Sequence, residues 1–261
     1  MQPPSFDSYA RQYDAHFTFS PIGLIQREQV YKQLIPLLSK NKNLLELNCG
    51  TGHDAHQLIS HLKSVLATDI SPEMIAQCIS KKSHETPDLR FAVKSVQQIK
   101  SELQTANFVF SNFGGLNCLS PDDIKAFAQN CLDETGKDTE LFFVVLGRKC
   151  VWEKLYFLMK FDLARVFRRK KKIGVATKIN ENEFSTWYYS PREIEQLFGP
   201  AFRAQSCGPI GLFVPPSYLN TFFGNKKLLL RLLGDMDQFF CKFKMLADYG
   251  DHFYIHLKKA N

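Results

Sequence analysis

Long apolar runs, paired cysteines and a secretory leader are what this sequence lacks. The cleanest apolar stretch, LFFVVL at 141–146, is far shorter than the roughly 20 residues that cross a bilayer as a helix. The seven cysteines are odd in number and scattered, and none pair as C-x-x-C. That speaks against a disulfide framework and against a thiolate zinc site, so no metal is expected. They read as thiols of a reducing compartment. The opening MQPPSFDSYARQYD is polar and has no apolar leader core. With no repeat and no low-complexity linker, one cytoplasmic domain over 1–261 is the expectation.

Phenylalanine is in surplus, at 23 of 261 residues, and the net charge is +7. The first suggests a bulky core or a greasy pocket, and the second permits an anionic partner.

From Asn43 to Gly147 short apolar runs alternate with helix-like stretches. NLLEL, VLATDI, LRFAV, NFVFSN and LFFVVLG read as strands, with helices over 52–63, 72–82, 96–103 and 121–134. Strict alternation means βαβ units and a mostly parallel sheet with helices on both faces. Residues 1–40 read as two preceding helices, the first from the spacing of Phe6, Tyr9, Tyr13 and Phe17. Residues 41–149 form the ligand-binding core. Two insertions, 150–190 and 209–248, are expected on the acceptor side. The first opens as one amphipathic helix over 150–172 with Trp152, Leu155, Met159, Leu163 and Val166 on a shared face. A short strand pair follows in KINENEFSTWYYS, and then a capped helix, SPREIEQLF. A strand near 202–207 and a final strand, HFYIHLKK, complete the expected sheet.

LLELNCGTGHDAHQLI, Leu44 to Ile59, carries the chemistry. A strand ends, two glycines bare the backbone, and a helix begins at once, which is how an open parallel sheet meets a ligand. GTGHDA fits G-x-G-x-x-A, one form of the dinucleotide fingerprint, and Asp69 ends the next strand, where an acid accepts ribose hydroxyls. From these features alone an NAD-type oxidoreductase and an enzyme of another adenosine ligand both remain.

Three motifs together resemble the class I S-adenosylmethionine-dependent methyltransferases. LLELNCGTG is similar to their first motif, ATDISPEMI to their second and NFVFSNFGGLN to their fourth, in order over residues 44–119. Asn48 stands where the family usually has its first glycine, and Ser95 where many members have an acid. The resemblance implies a Rossmann-like, mostly parallel seven-stranded sheet with an antiparallel last strand and helical insertions over the active edge. It implies S-adenosylmethionine as cofactor. Glu46 would neutralise the ammonium of its amino-acid tail, with Gly50, Thr51 and Gly52 holding the tail by their backbone. An acid so close also disfavours a pyrophosphate. Asp69 would grip the ribose. Met74 or Ile70 would pack on the adenine, with Ser95 and Val96 at its other edge. Asn112 and Phe113 would flank the methyl group, and Tyr13 would reach over the cofactor.

The reading is therefore methyl transfer to a small hydrophobic or aromatic acceptor, with O-methylation foremost. The alternatives are the oxidoreductase and a catalytically silent cofactor-binding scaffold. An antiparallel last strand starts at the active edge, which makes His252, beside Asp251, the candidate base. The acceptor pocket is expected from Phe17, Trp152, Tyr156, Trp187, Tyr188, Phe213, Tyr218 and Phe222. RRKKK at 168–172 is not accompanied by an RNA-binding module, which disfavours a nucleic-acid substrate. A helix end favours cations in any case, and contact with anionic lipid headgroups is the other partner this cluster allows.

Overall fold

A computed structural model describes residues 6–83, 86–179 and 182–260. Five parallel strands come first: β1 (Asn43–Leu47), β2 (Ser64–Asp69), β3 (Leu89–Val93), β4 (Phe108–Ser111) and β5 (Glu140–Leu146). A separate antiparallel hairpin, β6 (Val175–Ile179) and β7 (Asn182–Thr186), precedes β8 (Phe202–Ile210) and β9 (His252–Lys259). The sheet order is β3-β2-β1-β4-β5-β9-β8, and β9, the last strand of the chain, lies antiparallel between β5 and β8.

The central strands are buried on both faces, which is why they read as continuous apolar runs. Alternate residues feed two cores. Leu45, Leu47, Val109, Phe143 and Val145 face one helical layer, and Leu44, Phe108, Phe110, Phe142 and Val144 face the other. Glu46 is the polar exception inside β1, and it is buried too.

Among the described residues seven α-helices of at least six residues surround the sheet: α1 (Pro21–Leu34), α2 (His53–Leu58), α3 (Pro72–Ser80), α4 (Pro121–Glu134), α5 (Val151–Met159), α6 (Pro191–Phe198) and α7 (Lys227–Phe240). Four of them begin at Ser-Pro. Ser20, Ser71, Ser120 and Ser190 each accept a backbone N–H from the first turn, and proline fills the first helical position, where no donor is needed.

Three expected helices are shorter. The one over 52–63 ends at Leu58 and tightens into a 3-10 turn. The one over 96–103 is a 3-10 turn and a single α-turn. The one over 150–172 breaks after Met159, because Phe161 takes a positive φ of 55°. Its expected packing face is not packed: Leu155, Met159 and Leu163 are 49%, 71% and 64% exposed. Among the described residues no helix is long and apolar enough to cross a membrane.

Candidate active site

At the carboxyl ends of β1 and β4 the sheet reverses its order of growth, and a parallel sheet opens a crevice at that point. The turn leaving β1 lies there. Its backbone takes positive φ at Asn48 (53°), Gly50 (54°) and Gly52 (74°). Asparagine is one of the few side chains that visits this region readily, so Asn48 holds the turn where a glycine was expected. A Cβ on Gly52 would meet Cys78 Sγ at 2.8 Å, so α2 and α3 close tightly beneath the turn.

Asp69 ties β2 to this turn. Its Oδ2 accepts from the Gly50 amide and its Oδ1 from the Ser71 amide, both at 2.9 Å. Burial pushes its pKa up to about 6, against the pull of those two amides. The side chain is nearly inaccessible yet borders the crevice.

Deeper in, α1 brings Arg27 against Asp54 of α2 as a buried ion pair. Tyr31 also donates to Asp54, and Asn112 Nδ2 donates to its other oxygen at 2.9 Å. Burial raises the Asp54 carboxyl, but Arg27 and these hydrogen bonds outweigh it and hold the group below the usual carboxylate range. Glu46 has no such partner. Burial, then the neighbouring Asp54 charge, lifts its pKa well above the usual value.

Four buried polar atoms here have no partner: Glu46 Oε2, Asn48 Oδ1, Thr18 Oγ1 and Arg27 Nε. All four residues line one cavity of about 30 Å³, together with Gly50, Thr51 and Asn112. Buried orphans need an explanation. Carboxylate, amide and hydroxyl oxygens facing a guanidinium N–H match the ammonium and carboxylate of a free amino-acid tail.

This cavity adjoins a cleft of about 360 Å³ whose lining includes Tyr13, Asn48, Gly50, Asp69, Ile70, Met74, Asn112 and Phe113. The structure thus gathers most of the predicted cofactor residues around one space. Thr51 sits at the inner cavity, where its hydroxyl donates to Asp14 at 2.6 Å. Gly52 lies under the turn as the cap of α2. Ser95 caps the 3-10 turn at 96–98 through Gln98, with Val96 buried behind it, and neither lines the cleft.

His252 stands one ring behind the cleft, edge to face with Phe113 at 5.3 Å. Its Nδ1 is 3.3 Å from Asp251 Oδ2 but lacks hydrogen-bond alignment. None of the eight expected acceptor aromatics lines the cleft. Phe6 and Phe184 do, their rings 5.2 Å apart, and so does Cys118. Sequence reasoning also missed Arg27, which reaches the site from α1, outside the motif that carries Glu46 and the glycines. Among the described residues no group of three or more His, Cys, Asp or Glu is placed to hold a metal ion.

Residues 44–135 match the family model of a methyltransferase domain. Over those residues the chain is similar to that family. Its sheet is the class I methyltransferase sheet, for which S-adenosylmethionine is the methyl donor, and the orphaned polar atoms fit that donor's amino-acid end. No curated protein matches the sequence. Among solved structures, this methyltransferase is similar over its whole length to a DhpI–SAH complex, with 16% identity, a TM-score of 0.63, and 98% of this chain and 93% of that one covered. A S-adenosylmethionine-dependent methyltransferase from Clostridium acetobutylicum ATCC 824 shares 12% identity at a TM-score of 0.60, covering 99% and 100%. A complex of the Haloferax volcanii Trm112 methyltransferase activator with a methyltransferase matches at 12% identity and a TM-score of 0.60, covering 100% of both chains. At such identities the likeness is one of fold. The methyltransferase match disfavours the oxidoreductase alternative, and so does Glu46, an acid beside the glycine turn.

Proposed function

We propose that this methyltransferase moves the methyl group of S-adenosylmethionine onto an oxygen of a small, hydrophobic or aromatic acceptor. One observation carries the reading. The N-terminal segment and the β6–β7 hairpin meet over the cleft through Phe6 and Phe184, so with Phe113 the space is walled by aromatic rings. A volume of about 360 Å³ under such a roof suits a cofactor's reactive end and a small apolar partner better than an RNA helix.

In this reading Glu46 takes the tail's ammonium and Arg27 Nε its carboxylate. Asp69 takes the ribose hydroxyls. Ile70 and Met74 face the adenine, and Ser95 and Val96 stand outside the cleft. Asn112 and Phe113 flank the methyl group. Residues 1–261 act as one domain, with 150–190 and 209–248 on the acceptor side. Acceleration comes chiefly from holding acceptor oxygen and methyl group in line. His252, beside Asp251 and behind the Phe113 ring, is the group assigned to take the acceptor's proton.

Incubation with isotopically labelled donor and host extract, followed by mass spectrometry, tests the proposal. Label is expected in small apolar metabolites. Label confined to RNA or protein would overturn it.

A further inference from the structure

The chain's positive charge is not spread over its surface. Between Arg148 and Ile173 stand ten basic residues against two acids, enough to account for the whole net charge of +7. Both acids are already committed. Glu153 is buried between Arg168 and Arg169, and Asp162 pairs with Arg165. Lys160, Lys170, Lys171 and Lys172 are exposed and make no ion pair among the described residues. Arg148, Lys149, Lys170, Lys172 and Arg192 line a depression of about 370 Å³. The acids in it, Glu193 and Asp248, are spent on Arg148 and Lys149. Lys170, Lys172 and Arg192 are the lining cations left without an acid among the described residues.

The same segment exposes apolar side chains that a soluble helix normally buries. Leu155, Leu158 and Met159 share one face of α5 at 49%, 54% and 71% exposure, and Phe161 after it is 92% exposed. The 217–226 turn lies alongside, with Tyr218 5.6 Å from Tyr156 and Phe223 5.5 Å from Trp152. It adds Phe222, exposed, with Lys226 over its ring.

We propose that this face docks on an anionic lipid bilayer, with the α5 and Phe222 side chains in the acyl boundary and the lysines at headgroup phosphates. Charge complementarity selects an anionic partner. The aliphatic part of the face favours lipid over nucleic acid, because Leu155, Leu158 and Met159 offer nothing to a phosphodiester backbone or a base face, yet partition readily below the headgroups. The segment runs directly into the β6–β7 hairpin, whose Phe184 walls the cleft, so docking would set the cleft mouth close to the lipid.

Cosedimentation of the full chain with phosphatidylcholine vesicles, with and without phosphatidylserine, tests this. Binding is expected only with phosphatidylserine, weakening as salt rises. The triple variant K170A/K171A/K172A should lower the partition coefficient about a hundredfold, at roughly fivefold per lysine. Leu158→Asp with Met159→Asp should lower it at least about tenfold while leaving the salt dependence in place. All five positions are exposed, so thermal stability and cofactor affinity should stay unchanged. Equal binding to neutral vesicles would overturn the proposal, as would no binding at all. Vesicle binding untouched by the Leu158 and Met159 changes but matched by binding to RNA would overturn it in favour of a nucleic-acid surface.

Discussion

In the proposed site, Asp69 would link fold, cofactor and pH through one side chain. Its two oxygens already accept two backbone amides, which fixes the carboxylate at the lip of the cleft with lone pairs left for ribose hydroxyls. Asp69→Ala should therefore weaken cofactor binding by about 1.5–3 kcal/mol, roughly ten- to a hundredfold, as read by calorimetric titration. Unchanged affinity would reject the ribose role. The sign of the pH effect follows from the pKa near 6. Hydroxyl donors need the ionised carboxylate, so affinity should fall as the solution is acidified through that value. In the free protein the same group acts the other way. Its folded pKa lies above the ordinary 3.8, so the folded form holds a proton that the unfolded form has released, and this contribution to stability declines as pH rises through that window. Glu46 should add to the binding effect. Glu46→Gln keeps the shape and removes the charge, and it should reduce affinity for the donor more than affinity for adenosine, which has no ammonium.

At the scale of elements the glycine turn is the sharpest test. Gly52→Ala adds a Cβ at a φ of 74° and within 2.8 Å of Cys78 Sγ, so it should destabilise by about 1–2 kcal/mol from backbone handedness alone. In a chain of this size that is a Tm lower by about 2–4 °C per kcal/mol. Asn48→Gly should leave Tm nearly unchanged, because the backbone conformation suits glycine as well. The strands were legible in the sequence for a physical reason: burial on both faces forces unbroken apolar runs, and LFFVVL at 141–146 could be little else. The Ser-Pro starts of α1, α3, α4 and α6 were equally readable, since cap and proline act within four residues. The break at Phe161 was not. Helical periodicity at Leu155, Met159 and Leu163 says that a face exists but not what covers it. The inner cavity was half legible: Glu46 and the glycines are local to one motif, whereas Arg27, Phe6 and Phe184 arrive from elements far along the chain.

At the scale of the whole molecule, one residue of the basic cluster joins several elements at the active edge. Arg169, in RRKKK, is buried. Its Nε donates to Glu153 of α5 at 2.8 Å, and its terminal nitrogens donate to the Asp251 carbonyl at 2.9 Å and to Asp251 Oδ1 at 2.8 Å. Its guanidinium also lies 5.0 Å from the Tyr188 ring. One side chain thus joins α5, the start of β9 and the exit of the hairpin. Burial alone would raise Asp251, but the charges of His252 and Arg169 outweigh it and hold the carboxyl well below the usual range. Stability from that shift is complete above the ordinary carboxylate pKa and is lost as pH falls toward the depressed one. Arg169→Leu would leave the buried Asp251 carboxylate without its arginine and Glu153 with Arg168 alone, which costs about 3–5 kcal/mol at neutral pH. The loss should shrink in acid, because Asp251 and Glu153, no longer held ionised by Arg169, take up protons more readily. Urea midpoints for both proteins at neutral and mildly acid pH would read this directly. A pH-independent difference would mean that Arg169 contributes packing rather than charge, and that the Asp251–His252 pair is oriented by some other group.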